Sequence, residues 1–130
     1  MRAGWGGLIM DAEITEEVLI VLTNLPDRVS AQRIAHSLIE NRAAACVNIL
    51  AECASVYRWQ GKVESASEVP LLIKTTRSAY ARLEQLIRSQ HPYELPEIIA
   101  VTVASGLPAY LHWVATETTF INQSLAQHKE

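Results

Sequence analysis

The segment His91-Pro92-Tyr93-Glu94-Leu95-Pro96-Glu97 places an imidazole, a phenol and two carboxylates in a turn stiffened by two prolines. Such a set can contact a borderline divalent cation, and the prolines limit the entropy lost when ligands are fixed. The turn supplies a single nitrogen, however, whereas a competent site needs about four ligands. The plainer alternative is that the prolines shape the approach to a strand, Tyr93 packs, and both glutamates stay in water. His91, with Glu94 and Glu97, is the candidate metal contact. Glu97 is also the candidate general base of a hydrolase or isomerase, a reading that lacks a nucleophile or a metal arrangement.

Cys46, in Ala44-Ala45-Cys46-Val47-Asn48-Ile49, has the chemistry of a soft metal ligand or a reactive thiol. No sequence neighbour supplies the positive charge that would activate it, which favours a small packing residue. Cys53 follows seven residues later. In unbroken β geometry the two thiols then face opposite sides about 23 Å apart, too far to bridge each other. Tyr57, Arg58, Trp59, Lys62 and Glu64 interleave aromatics with charges, a pattern of ligand clefts and of assembly hot spots. Lys74, ahead of Thr75 and Thr76, either points an ammonium into a cleft as an anion contact or lies in water at a strand end. Tyr57, Trp59, Lys74 and Tyr93 are the candidate lining of a small-molecule cleft. His36, His112 and His128 have no ligand-spaced partner. The chain contains no paired CxxC, HExxH, GxGxxG, phosphate-binding loop or GxSxG elbow, which argues against an autonomous enzyme.

The elements that must position these residues follow from periodicity. Glu17 to Thr23 is apolar on both alternating faces, as in a central strand covered on both sides. Asn24 to Asp27 turns the chain into a helix over about Arg28 to Arg42, with Asp27 as N-cap and Ala31, Ile34, Ala35, Leu38 and Ile39 inward. Two long strand-like runs, Ala44 to Trp59 and Lys62 to Thr76, are joined by Gln60-Gly61 and read as one oversized hairpin, with a bend or bulge near Glu52 to Ala54. A second helix spans about Arg77 to Gln90 and is stopped by Pro92. Glu97 to Ser105 is a further strand apolar on both faces. A last short helix starts at Pro108 and is expected to bury Tyr110, Leu111, Val114 and Trp113. The order is that of an α+β, ferredoxin-like βαββαβ fold with a C-terminal helix.

With 130 residues, 49% of them apolar, the chain suits one domain with one core. The expected division is a flexible tail over 1–16, a single domain over 17–120 and a C-terminal tail over 121–130. Met1 and Met10 both stand as candidate starts. A net charge of −3 with scattered Lys and Arg argues against nucleic acid and against a membrane surface. The first hairpin arm, if continuous, would extend about 50 Å, whereas a globule of this length is only about 36 Å across. Such an arm, and strands apolar on both faces, need another subunit to lie against.

Four segments in order resemble the CutA family: Ala44-Ala45-Cys46-Val47-Asn48-Ile49, Ser55 to Glu64 (SVYRWQGKVE), Leu72-Ile73-Lys74-Thr75-Thr76, and His91 to Ile98 (HPYELPEI). The resemblance runs from about Glu17 to Thr119 and includes Tyr110-Leu111-His112-Trp113. It implies a trimer similar in architecture to the PII signalling proteins, with the long hairpins joining sheets across subunits. It further implies a non-catalytic, cytoplasmic role in divalent-cation tolerance, with copper or another divalent cation weakly bound and no organic cofactor. The implied partners are the chain itself, as a homotrimer, and divalent ions. The positions matching the copper ligands of an enterobacterial member are Thr23, Gln90 and His91, of which only His91 keeps a ligand side chain. The alternative function is a small-molecule sensor or signalling scaffold whose ligand sits in the inter-subunit cleft.

Overall fold

The computed structural model describes residues 16–119. Apart from Glu16, the expected N-terminal tail lies outside the described residues, as does the expected C-terminal tail, 121–130. The chain forms β1 (Val18–Leu25), α1 (Arg28–Glu40), β2 (Cys46–Ile49), β3 (Cys53–Trp59), β4 (Lys62–Thr76), α2 (Arg77–Gln90), β5 (Ile99–Thr102) and α3 (Pro108–Glu117). The sheet order is β2-β4-β1-β5, every neighbouring pair is antiparallel, and β3 pairs with the outer half of β4. This is the ferredoxin-like arrangement expected from the element order.

Leu19, Val21, Thr23 and Leu25 alternate along β1 and are all buried on the helix side. Val21, Leu25, Leu71 and Ile73 form one core with Ile34 and Leu38 of α1 and Leu83 and Ile87 of α2. The Asp27 carboxylate accepts from the Ser30 N–H at 2.8 Å and from the Ser30 hydroxyl, which caps α1 and holds that carboxyl below its usual range. The helix stops at Glu40, two residues earlier than its periodicity suggests. Arg42 adopts φ 54°, and the Arg42 and Ala43 N–H groups donate to the Ile39 and Leu38 carbonyls. That is a Schellman stop with arginine in the place where glycine is commonest.

The long hairpin is present, but its first arm is not continuous. Ile49 pairs with Leu71 and Cys53 with Glu68, so three residues, Leu50 to Glu52, face only two, Val69 and Pro70. The Leu50 N–H donates to the Pro70 carbonyl. Pro70 has no N–H to return on that side, so the ladder breaks and a bulge forms. The extra residue reverses the strand's parity. Cys46 and Cys53 therefore sit opposite Lys74 and Glu68, on the same face of β4 rather than on opposite faces. Six residues of strand, about 20 Å, still separate them. At the tip Gln60 (φ 51°) and Gly61 (φ 82°) make the tight turn that positive φ permits.

Beyond Val69 the ribbon of β3 and outer β4 leaves the core, and Val56 and Val63 are exposed on it. The sheet face away from α1 and α2 carries Ile20, Leu22, Leu72, Ile99 and Val101, of which the last two are 51% and 52% exposed. The α3 helix covers only one end of this face, where Val18, Thr76, Val114 and Thr118 are buried and the Thr76 and Thr118 hydroxyls meet at 3.2 Å. The expected burial of α3 is only partly realised: Val114 is buried, Leu111 is half-buried, and Tyr110 and Trp113 are exposed with their rings 5.5 Å apart. The β5 strand is shorter than its apolar run and exposed throughout, because it lies at the sheet edge with one neighbour.

Candidate functional site

Two polar constellations interrupt the apolar architecture. In the first, α2 ends with His91 as its C-cap, and the ring folds back under the end of β1. The Tyr93 N–H donates to His91 Nδ1 at 3.2 Å, so that nitrogen is unprotonated. Nε2 therefore carries the hydrogen and donates it to the Asn24 carbonyl at 2.7 Å. Burial lowers the His91 pKa, opposed in part by the Asn24 hydrogen bond and by Glu68. The Tyr93 ring lies 4.8 Å from the His91 ring and its hydroxyl donates to Glu68 Oε2 at 2.9 Å. Burial, then that hydrogen bond to a carboxylate, push the Tyr93 phenol up to about 12. Glu68 is only 8% exposed and forms no ion pair among the described residues.

A metal at His91 must compete with this arrangement. Both ring nitrogens are in use, Glu97 Oε1 accepts from Asn24 Nδ2 at 2.9 Å, and Glu94 is exposed. Among the described residues no three His, Cys, Asp or Glu side chains converge as a cation cage. The donor set of one chain, as it stands, does not fit a metal centre. Thr23 and Gln90 add nothing to it. The Thr23 hydroxyl is fully buried with no hydrogen-bond partner among the described residues, and the Gln90 amide donates to Ser37 Oγ at 2.9 Å.

The second constellation is on the open sheet face. Cys46, Lys74, Ile20 and Val101 pair successively across four strands and form one row. The Lys74 ammonium donates to Asn48 Oδ1 and lies 4.0 Å from Cys46 Sγ. The positive charge that sequence neighbours fail to give Cys46 thus comes from the strand beside it. The Tyr110 phenol, on α3, is raised by burial first and then by the Cys46 sulfur next to it.

The four side chains proposed as one cleft do not meet within a single chain. Tyr93 joins His91 and Glu68, and Tyr57 is near enough to act electrostatically on Tyr93. Lys74 lies ten β4 residues beyond Glu64, the partner of Tyr57, about 33 Å along the strand. Trp59 is farther still, opposite Lys62 at the ribbon tip. Sequence reasoning missed Glu68, Asn24, Asn48 and Tyr110 as site residues. For Asn48 the signal was available, since two residues from Cys46 on a strand is the same face; for buried Glu68 there was none.

The sequence pattern of CutA1 divalent ion tolerance proteins matches residues 19–117. A mouse protein named Protein CutA is 44% identical over 99 residues, covering 76% of this chain and 56% of the mouse protein. The divalent-cation tolerance protein CutA of Thermus thermophilus is 43% identical over 99 residues, covering 76% of this chain and 96% of that protein. The solved Thermus structure superposes with a TM-score of 0.77 at 42% identity, covering 78% of this chain and 99% of that one. A structure described as the periplasmic divalent cation tolerance protein CutA from Archaeoglobus fulgidus superposes at 0.76 with 31% identity, covering 78% and 99%.

Proposed function

The chain belongs to the CutA1 divalent ion tolerance family, and from that premise we propose that it serves divalent-cation tolerance as a non-catalytic homotrimer that binds or senses the cations. The carrying observation is the open sheet face, where Ile20, Leu22, Leu72, Ile99 and Val101 make a continuous apolar surface covered only at one end. Such a surface is costly in water and is relieved by a closed ring of identical copies. The ribbon beyond Val69 is the arm that reaches the neighbouring copy. The cation, copper or another divalent ion, contacts His91 with Glu94 and Glu97. Binding there is weak, because Nδ1 becomes a ligand only when it releases the Tyr93 N–H. The two free cysteines support a reducing, cytoplasmic setting, and no helix among the described residues is long and apolar enough to cross a membrane.

Titration calorimetry with Cu²⁺ and Zn²⁺ on wild type and His91→Ala, together with native mass, tests both parts. The expected result is a trimer with weak heat of binding that the substitution removes. Identical isotherms refute the role of His91, and a monomeric mass refutes the assembly. A second reading, a small-molecule sensor with its ligand in the cleft between subunits, is favoured by the Lys74 ammonium on the open face.

A further inference from the structure

Lys74 is a half-buried cation in the middle of an apolar surface. Its row neighbours across the sheet are Ile20, Val101 and Cys46, and the adjoining row is Asn48, Leu72, Leu22 and Ile99. The ammonium does not extend freely away from the sheet, as that of an isolated strand lysine does. Instead it is held down on the sheet by Asn48 Oδ1, with Cys46 Sγ at 4.0 Å. Both are neutral or weak partners, and no carboxylate of the described residues forms an ion pair with it. Once this face is covered, the ammonium loses water without gaining a counter-charge, and a buried unpaired charge is among the least favourable arrangements in a protein. The ammonium keeps donor capacity, since Asn48 and the thiol occupy two directions and it has three hydrogens. The Tyr110 side chain, from α3, lies beside Cys46, with Trp113 against it.

We propose that Lys74 is the charged anchor of a binding site for a small organic carboxylate at the β2 edge of this face, beside Asn48, Cys46 and Tyr110. This rests on the second reading above, and it names the ligand class for it. A carboxylate matches a single ammonium that has a phenol on the far side of the Cys46 sulfur. The hydrocarbon surroundings favour an anion with an apolar body over a fully hydrated one such as inorganic phosphate.

The experiment is a titration of wild type and Lys74→Met with acetate, butyrate, benzoate and inorganic phosphate, followed by amide chemical shifts and calorimetry, with native mass recorded for each protein. Wild type is expected to bind benzoate and butyrate more tightly than acetate or phosphate, with shifts centred on Cys46, Asn48 and Tyr110. Lys74→Met is expected to bind the carboxylates at least about tenfold more weakly at unchanged mass. If the Met variant does not fold, Lys74→Arg, which keeps the charge, must retain binding, and the wild-type shifts still locate the site. The inference is overturned if no carboxylate shifts those amides, if phosphate binds as well as butyrate, or if Met at 74 leaves binding intact. It is also overturned if wild type ignores all four anions while Lys74→Met loses its trimeric mass; the counter-charge then comes from a second copy, and the assembly reading survives. A monomeric wild type that binds benzoate at these residues leaves the site standing and sinks the assembly instead.

Discussion

Replacing Tyr93 by Phe removes one oxygen and keeps the ring that lies 4.8 Å from His91. The lost atom is the donor to Glu68 Oε2 at 2.9 Å, and Glu68 is only 8% exposed, so water cannot fully replace it. A hydrogen bond to a charged group contributes about 1.5–3 kcal/mol, and the larger part of the loss is the penalty on the carboxylate left without a donor. Tyr93→Phe should therefore destabilise by about 2 kcal/mol. With a urea slope of about 2 kcal/mol per molar, the midpoint falls by about 1 M. Glu68→Gln keeps an acceptor but gives up the charge, and neutral hydrogen bonds are about half as strong, so about 1 kcal/mol is expected. In the double variant the buried carboxylate is gone, and the combined loss should be smaller than the sum of the two by about 1 kcal/mol. The measurement is urea unfolding followed by tryptophan fluorescence at one fixed protein concentration, because an oligomer's midpoint depends on concentration. A Tyr93→Phe protein within about 0.5 kcal/mol of wild type, or strictly additive losses, would refute the reasoning that Glu68 depends on this donor.

Thr23→Val exchanges a buried hydroxyl without a hydrogen-bond partner among the described residues for a methyl of the same shape. Thermal unfolding should show a gain of about 1 kcal/mol, or roughly 4 °C, and a loss would mean that the hydroxyl has a partner after all. For His91 the pKa is lowered from 6.5, chiefly by burial, so the folded state favours the neutral ring and the unfolded state takes up the proton first. Its contribution to stability is then present above pH 6.5 and lost as pH falls through the lower folded value. The gap in stability between wild type and His91→Gln should narrow as pH falls from 7.5 to below 6.5, and a gap that widens instead contradicts the hydrogen-bonding scheme.

The elements could be read from the chain because each has a local cause. Val18 to Leu22 is apolar on both alternating faces, Asp27 stands three residues before Ser30, and Pro108 opens a helix. Where the reading failed, the cause was a partner distant in sequence. The bend expected near Glu52 to Ala54 is a bulge at Leu50 to Glu52, and its effect on Cys46 and Cys53, which share a face of β4 instead of facing apart, follows from Pro70, about twenty residues later, having no N–H to give. The exposure of Tyr110 and Trp113 follows from α3 sitting at one end of the open face instead of across it. The candidate site divides in the same way. His91 and Tyr93 are sequence neighbours and do act together, whereas Glu68 and Asn24, which fix their roles, come from two other strands.

The sequence by itself determined the strand and helix order, the family, and the reach of the hairpin, because these depend on periodicity, turn chemistry and motifs carried within short stretches. Only the tertiary structure decided what the polar side chains do. It set the tautomer of His91, since both nitrogens are engaged by backbone groups from outside the helix that carries it. It buried Glu68 beneath a tyrosine, and it brought Lys74, Cys46, Asn48 and Tyr110 to one place on a bare sheet face. The physical reason is that hydrogen bonds and charges act over a few ångströms of space, and strand pairing makes neighbours of residues 28 positions apart, such as Cys46 and Lys74.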